Sequence, residues 1–213
     1  MAARQVGRLP PVLLHRPVRV LRPQDAAGVY AHPRPEFARL AESGVLHRLA
    51  TGYYAAVPDD RVGLRWLPDL ESSALGIAAA EEGISSVALM GISAARVHGA
   101  LPRALGVAVV AAARHRAMVK MADRDASIVF VRRDVRRIEV ERRELVLGRG
   151  WVTTAEQTII DLASRPELGG VPEESHDAIR TLLPRADRGL LRDLAVSQRK
   201  SRALDRLLED TDA

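Results

Sequence analysis

The stretch from Pro35 to Val57 leaves the chain the fewest folding options. Phe37, Leu40 and Ala41 stand at i, i+3, i+4, and Ser43-Gly44 follows with glycine where a helix stop favours it, which predicts a helix of about ten residues. Val45-Leu46-His47-Arg48-Leu49 and Tyr53-Tyr54-Ala55-Ala56-Val57 are rich in strand formers and flank Ala50-Thr51-Gly52, so a β-hairpin is expected next. Opposite Phe37 on the helical wheel lie Pro35, Arg39, Glu42 and Ser43, with Arg34 at the helix start. One of two adjacent strand tyrosines must point inward, so Tyr53 or Tyr54 belongs to the core, and Tyr54 is assigned no role. Upstream, Pro10–Leu14 reads as a short helix, Val18–Leu21 as a short strand, and Gln24–Tyr30 as a helical stretch entered from Pro23.

The charge balance gives this module a direction. The 213-residue chain carries a formal net charge of +5, and residues 1–57, with eight arginines against Asp25, Glu36 and Glu42, account for all of it. Arginine supplies 30 of the 32 basic residues, lysine occurring only at 120 and 200. A GC-rich genome would explain arginine over lysine, but not its concentration at one end. Helix, turn, helix and hairpin with such a balance is the order of a winged helix-turn-helix, in which the second helix enters the major groove and the hairpin approaches phosphates. Arg34 and Arg39 are the groove-facing candidates, Arg48 and Thr51 the wing candidates. The alternative is an ordinary α+β corner solvated by its arginines.

Residues 58–66, including Asp59-Asp60-Arg61, mark the boundary, giving domains of 1–60 and 61–213. Beyond it helices are expected at Leu67–Glu82, Ile92–His98, 153–164, 172–183, 187–197 and 199–209, and strands at Val107–Ala112, Ser127–Arg133, Arg136–Leu145 and Trp151–Val152. The fold class is α+β, an amino-terminal winged helix-turn-helix followed by an α+β domain with a helical carboxyl end. Thr153 or Thr154 should cap the helix holding Glu156 in its first turn. Residues 103–149 carry +6, a second electropositive segment suited to a DNA footprint or an acidic partner, or simply exposed strand arginines.

Catalytic patterns are missing from the sequence. There is no phosphate-binding glycine loop, nucleophile elbow or HExxH, and the six histidines show no metal spacing. A nuclease reading would lean on Asp134, Glu139 and Glu141, but position 141 holds no lysine and the two glutamates alternate with Ile138 and Val140 as on a half-exposed strand. Asp161, in an apolar helix, is expected to face water or cap a neighbouring segment. No cofactor or metal is expected, and the chain is read as a binding protein rather than an enzyme. With no cysteine, no export signal in the amino-terminal residues and no apolar run near the roughly 18 residues of a membrane span, the expected compartment is the cytoplasm.

Three segments carry a family likeness. Phe37–Val57 (FARLAESGVLHRLATGYYAAV), Ile92–Ala104 (ISAARVHGALPRA) and Thr153–Ala163 (TTAEQTIIDLA) resemble, in order, the recognition helix and wing, the Ser-Ala-Ala-x-x-x-Gly-x-x-Pro segment and the Thr-x-x-x-Thr-Leu-x-Asp-Leu-Ala helix of AbiEi-type antitoxins from type IV toxin–antitoxin systems. They cover most of residues 37–165, while 1–15 and the chain beyond 170 match loosely. The resemblance implies an autoregulatory repressor that binds inverted repeats in its own promoter and antagonises a nucleotidyltransferase-like toxin. It implies a double-stranded DNA contact face of Arg34, Arg39, Ser43, Arg48 and Thr51, and no catalytic residue. The rival expectation is a general winged-helix regulator whose second domain binds a ligand or another protein.

Overall fold

The computed structural model describes residues 9–14 and 17–212. Arg4, Arg8 and Arg16, three of the eight amino-terminal arginines, lie outside them. The chain forms helix α1 (Pro11–Leu14), strand β1 (Val20–Leu21), helix α2 (Pro33–Glu42) and the hairpin β2 (Leu46–Ala50) and β3 (Tyr53–Ala56). The strands make an antiparallel sheet in the order β1-β3-β2. Gly52 takes φ of 82° in the Thr51-Gly52 turn, as the spacing required, and a bulge falls between Arg48 and Ala50.

Helix α3 (Leu70–Glu82) leads into a six-stranded mixed sheet of β4 (Val87–Leu89), β5 (Val107–Ala112), β6 (Val119–Lys120), β7 (Ser127–Arg132), β8 (Val140–Leu145) and β9 (Gly148–Thr153), ordered β6-β7-β5-β4-β9-β8. Helices α4 (Gly91–Val97), α5 (Ala155–Ser164), α6 (Pro172–Leu182), α7 (Arg188–Ser197) and α8 (Ser201–Asp212) complete a mixed α and β architecture. Strand β5 is buried at all six positions, and its alternation sorts the core. Val107, Val109 and Ala111 meet α4 to α8, whereas Ala108, Val110 and Ala112 meet α3.

Several boundaries differ from expectation for local reasons. Gln24–Tyr30 is not a helix. A 3-10 turn at Pro23–Ala26 stands there, held by the Asp25 carboxylate, which accepts from the Arg22 backbone N–H at 2.9 Å and its guanidinium at 3.0 Å. The expected strand at Arg136–Leu145 is broken at its start, because the Asp134 side chain accepts from the Arg136 N–H and closes a 3-10 turn at Val135–Arg137. Trp151–Val152 is the middle of the longer β9, paired with β8 across a two-residue turn of Val146 and Leu147, residues that give no turn signal. Helix α3 starts at Leu70 rather than Leu67, since Pro68 precedes the N-cap Asp69, whose carboxylate accepts from the Ser72 N–H at 2.8 Å. Thr154 caps α5.

The apolar residues Leu67, Leu70, Ala74, Ile77 and Ala78 stand on one side of the helical wheel, which alone would bury a single face. Instead Leu70 to Ala78 are all buried, because the three-stranded sheet packs against the side away from the large sheet. Val18, Val20, Leu49 and Ala55 share one core with Ala74, Ile77, Val110 and Val152 across the 60/61 boundary. A second core, with Phe37, Leu40, Leu21, Leu46 and Ala56, draws its buried residues from the amino-terminal part, with Val62 packed against it.

Asp161 is neither in water nor a cap. It is buried and paired with the Arg133 guanidinium, and it accepts from Gln157 Nε2 at 3.0 Å. Gln198 joins Arg133 and Gln157 in the same network. Burial pushes the Asp161 carboxyl above the usual range, against the pull of Arg133.

Two stability predictions follow from this packing. A Cβ at Gly76 would stand 2.2 Å from Val20 Cγ2, so Gly76→Ala should cost roughly 1–3 kcal/mol despite alanine's better helix propensity, read as a lower urea midpoint. An unchanged midpoint would show that α3 and β1 can move apart freely. Arg133→Ala should cost more, about 3–5 kcal/mol, because it strands a buried carboxylate, and Asp161→Asn in the same background should recover part of that loss.

Candidate nucleic-acid interface

Helix α2 owes its direction to two aromatic contacts. Phe37 is fully buried and meets Tyr54 edge-on at 5.3 Å and Tyr30 at 6.5 Å, which turns the opposite side of the helix outward. Arg34, Pro35, Ala38, Arg39 and Glu42 are exposed there. Pro33 and Pro35 occupy the first and third helical positions, so of the first three residues only Arg34 has an amide N–H. An anion at this end would therefore be met by side chains far more than by backbone.

The five sequence-selected residues do not behave alike. Arg34 is exposed and makes no ion pair among the described residues. Arg39 is exposed but already engaged, its guanidinium forking onto the Glu36 carboxylate at 2.5 and 3.0 Å. That hydrogen-bonded contact holds the Glu36 carboxyl below its usual range and raises Arg39. Ser43 is half-buried and its hydroxyl donates back to the Leu40 carbonyl at 3.0 Å, so it ends the helix rather than facing outward. Arg48 is exposed and pairs in register with Tyr54. Because Tyr54, Leu46 and Ala56 face Phe37, strand parity puts Arg48 on the α2 side of the sheet. Thr51 is exposed in the turn.

Contacts between the hairpin and the second half of the chain were not read from the sequence. The Ala122 N–H donates to the Leu49 carbonyl at 2.7 Å, and His47 Nε2 lies 2.7 Å from Asp123 Oδ2 with its ring edge-on to Trp66. Tyr53 donates its hydroxyl to Glu81 Oε1 at 2.5 Å and accepts from Arg116, whose guanidinium also stacks on Phe130 at 4.1 Å. Burial and the Glu81 contact push the Tyr53 phenol up to about 12. Both tyrosines thus face packed surroundings, on opposite sides of the sheet. The segment beside the hairpin carries exposed Arg114, His115 and Lys120, so part of the basic 103–149 stretch abuts the hairpin. The charge excess of that stretch was visible; its location depended on pairings 60 to 80 residues apart in sequence.

The residues weighed for metal chemistry are spread out. Asp134 caps its own turn, the exposed Glu139 gives its N–H to Gln157 Oε1, and Glu141 pairs with Arg143 at 3.0 Å. Among the described residues no three His, Asp or Glu side chains gather as a metal site. His98 ends α4 with Nε2 at 2.7 Å from the Thr153 carbonyl.

No protein-family profile matches the chain, and no curated protein resembles it significantly in sequence.

The Asp123 contact makes a pH prediction. Burial alone would raise this carboxyl, but the Arg124 and His47 hydrogen bonds outweigh it and the folded value lies below the ordinary one. Stability from this group is therefore present above the unfolded carboxyl value near roughly 4 and lost as pH falls through the lower folded value. Asp123→Asn should lower stability at pH 7 and flatten the acid limb of the stability curve. Parallel wild-type and variant curves from pH 7 down to 3 would contradict it.

Proposed function

We propose that the chain is a winged-helix DNA-binding repressor of its own operon, serving in the cytoplasm as the antitoxin of an AbiEi-like pair whose toxin has a nucleotidyltransferase fold. The observation that carries the DNA-binding part is the common placement of Arg34 and Arg48, neither ion-paired among the described residues, on one side of the β1-β3-β2 sheet, one at the start of the exposed helix and one on the hairpin. The strand, helix and hairpin in that sheet order support this reading, with the 3-10 turn Pro23–Ala26 in the place of the first helix of the pair. Arg34 and Arg48 meet phosphates, and Thr51 supports the wing contact. Arg39 reads a base edge once it exchanges Glu36 for DNA, an exchange that costs little because the pair is solvent-exposed. Ser43 contributes by ending the helix. The antitoxin part rests on the three resembling segments. It acts by binding, without turnover.

The full chain is the right object to test, since residues 1–60 alone would leave Val18, Val20, Leu49 and Ala55 without their partners. In mobility shifts on the DNA upstream of its gene, across a salt series, the wild type should bind selectively over random DNA. Arg34→Ala and Arg48→Ala should weaken operator and random DNA alike and each reduce the salt slope by about 1. Arg39→Ala should lose roughly 1–3 kcal/mol on the operator alone. Equal binding to every sequence by all four proteins would sink the repressor reading. Growth rescue on co-expression with the product of a neighbouring nucleotidyltransferase-like gene tests the antitoxin half separately, and failure to rescue would remove it.

A further inference from the structure

The turn between α7 and α8 gathers Arg199, Lys200, Arg202 and Arg206 with Ser164 and Ser201 around a cavity of about 510 Å3. The buried Asp161 carboxylate lies within electrostatic reach of Lys200, but no carboxylate lines the cavity and none of the four cations makes a salt bridge among the described residues. Elsewhere on the same half of the chain some surface arginines are matched, Arg103 with Glu174, Arg149 with Glu144 and Arg180 with Asp177, whereas exposed Arg132, Arg136 and Arg165 make no ion pair among the described residues. The Ser164 hydroxyl lies behind the cavity wall, shut off from solvent, and has no hydrogen-bond partner among the described residues. Four like charges in one concavity raise the local potential in a way that a bound anion relieves.

The backbone sharpens the point. Arg199 ends α7 at φ of 56°, the left-handed position where glycine is usual, while the Lys200 N–H closes the turn onto the Ala195 carbonyl at 2.6 Å. An arginine there is conformationally unfavourable, and it stands beside three more cations. The first amides of α8, at Ser201 and Arg202, have no acceptor within their own helix and add to the positive end.

We infer that this cavity binds a small ligand through a phosphate or diphosphate group. Forked guanidinium groups suit phosphate oxygens, and the volume is that of a small-molecule site. Duplex DNA is the less suitable occupant. Leu204 of α8 packs in the core on the far face of the six-stranded sheet from α3 and the amino-terminal sheet, so the cavity cannot extend a footprint centred on α2. The inference stands independently of the repressor reading.

Thermal unfolding and calorimetry of the full chain with inorganic pyrophosphate, against chloride at matched ionic strength, test it. A rise in Tm that saturates with pyrophosphate is expected. Arg199→Gly relieves the left-handed strain, so the unliganded variant should be at least as stable as wild type, yet bind pyrophosphate on the order of tenfold more weakly. Arg202→Ala should also weaken binding. The absence of a saturating rise, or identical binding by wild type and both variants, would overturn the proposal. Competition identifies the source of the phosphate. Displacement by ATP but not by random duplex supports a small ligand, whereas displacement by duplex at equal phosphate concentration overturns that assignment in favour of nucleic acid.

Discussion

The approach of Val20 to Gly76 governs how the two halves of the molecule are joined. A helix with a side chain at 76 could not come so near the short strand β1, and that approach brings Val18, Leu49 and Ala55 into the core shared with α3. Because the contact forms, α3 is enclosed by sheets on both sides and carries buried Ser72 and Ser73 as well as Leu75 and Ile77. Ser72 and Ser73 tolerate that burial by donating their hydroxyls to Asp69 at the start of the helix. The amino-terminal sheet is consequently packed on both faces, against α2 on one and α3 on the other.

The charge of the amino-terminal region is a poorer guide to its surface than its net value implies. Arg22 is consumed by Asp25 and Glu81, and Arg39 by Glu36, while Arg34 and Arg48 stay open. At the helix start, Pro33 and Pro35 remove two amides that would otherwise favour anions whatever their context. Attraction at this face therefore depends on a few guanidinium groups at fixed positions rather than on a diffuse helix dipole.

What could be read from the sequence was what neighbouring residues decide. Helix α2, the Thr51-Gly52 hairpin, strand β5 and the capped α5 follow from periodicity, a positive-φ glycine and a threonine at the right spacing. Elements decided by distant partners escaped. Strand β4 has three residues and exists because β5 and β9 flank it, and β6 has two. The Val146-Leu147 turn is apolar because Leu147 is drawn into the core shared with α3. Of the candidate site, exposure of Arg34, Arg39, Arg48 and Thr51 was legible from helix and strand parity. The capture of Arg39 by Glu36 was readable in principle from their i, i+3 spacing, but the inward turn of the Ser43 hydroxyl and the docking of the hairpin edge on residues 122 and 123 were not.

A hairpin held along its edge by a backbone hydrogen bond from Ala122 and a histidine contact to Asp123 is not a swinging arm. Those two contacts tie its position to the body of the molecule independently of any partner. For two such chains seated side by side on one duplex, the separation of their helices would be a property of the rigid bodies between them. Adjustment to an imperfect spacing would then have to come from twisting or bending of the DNA, so that the elasticity of the duplex, rather than that of the protein, would set the tolerance of recognition.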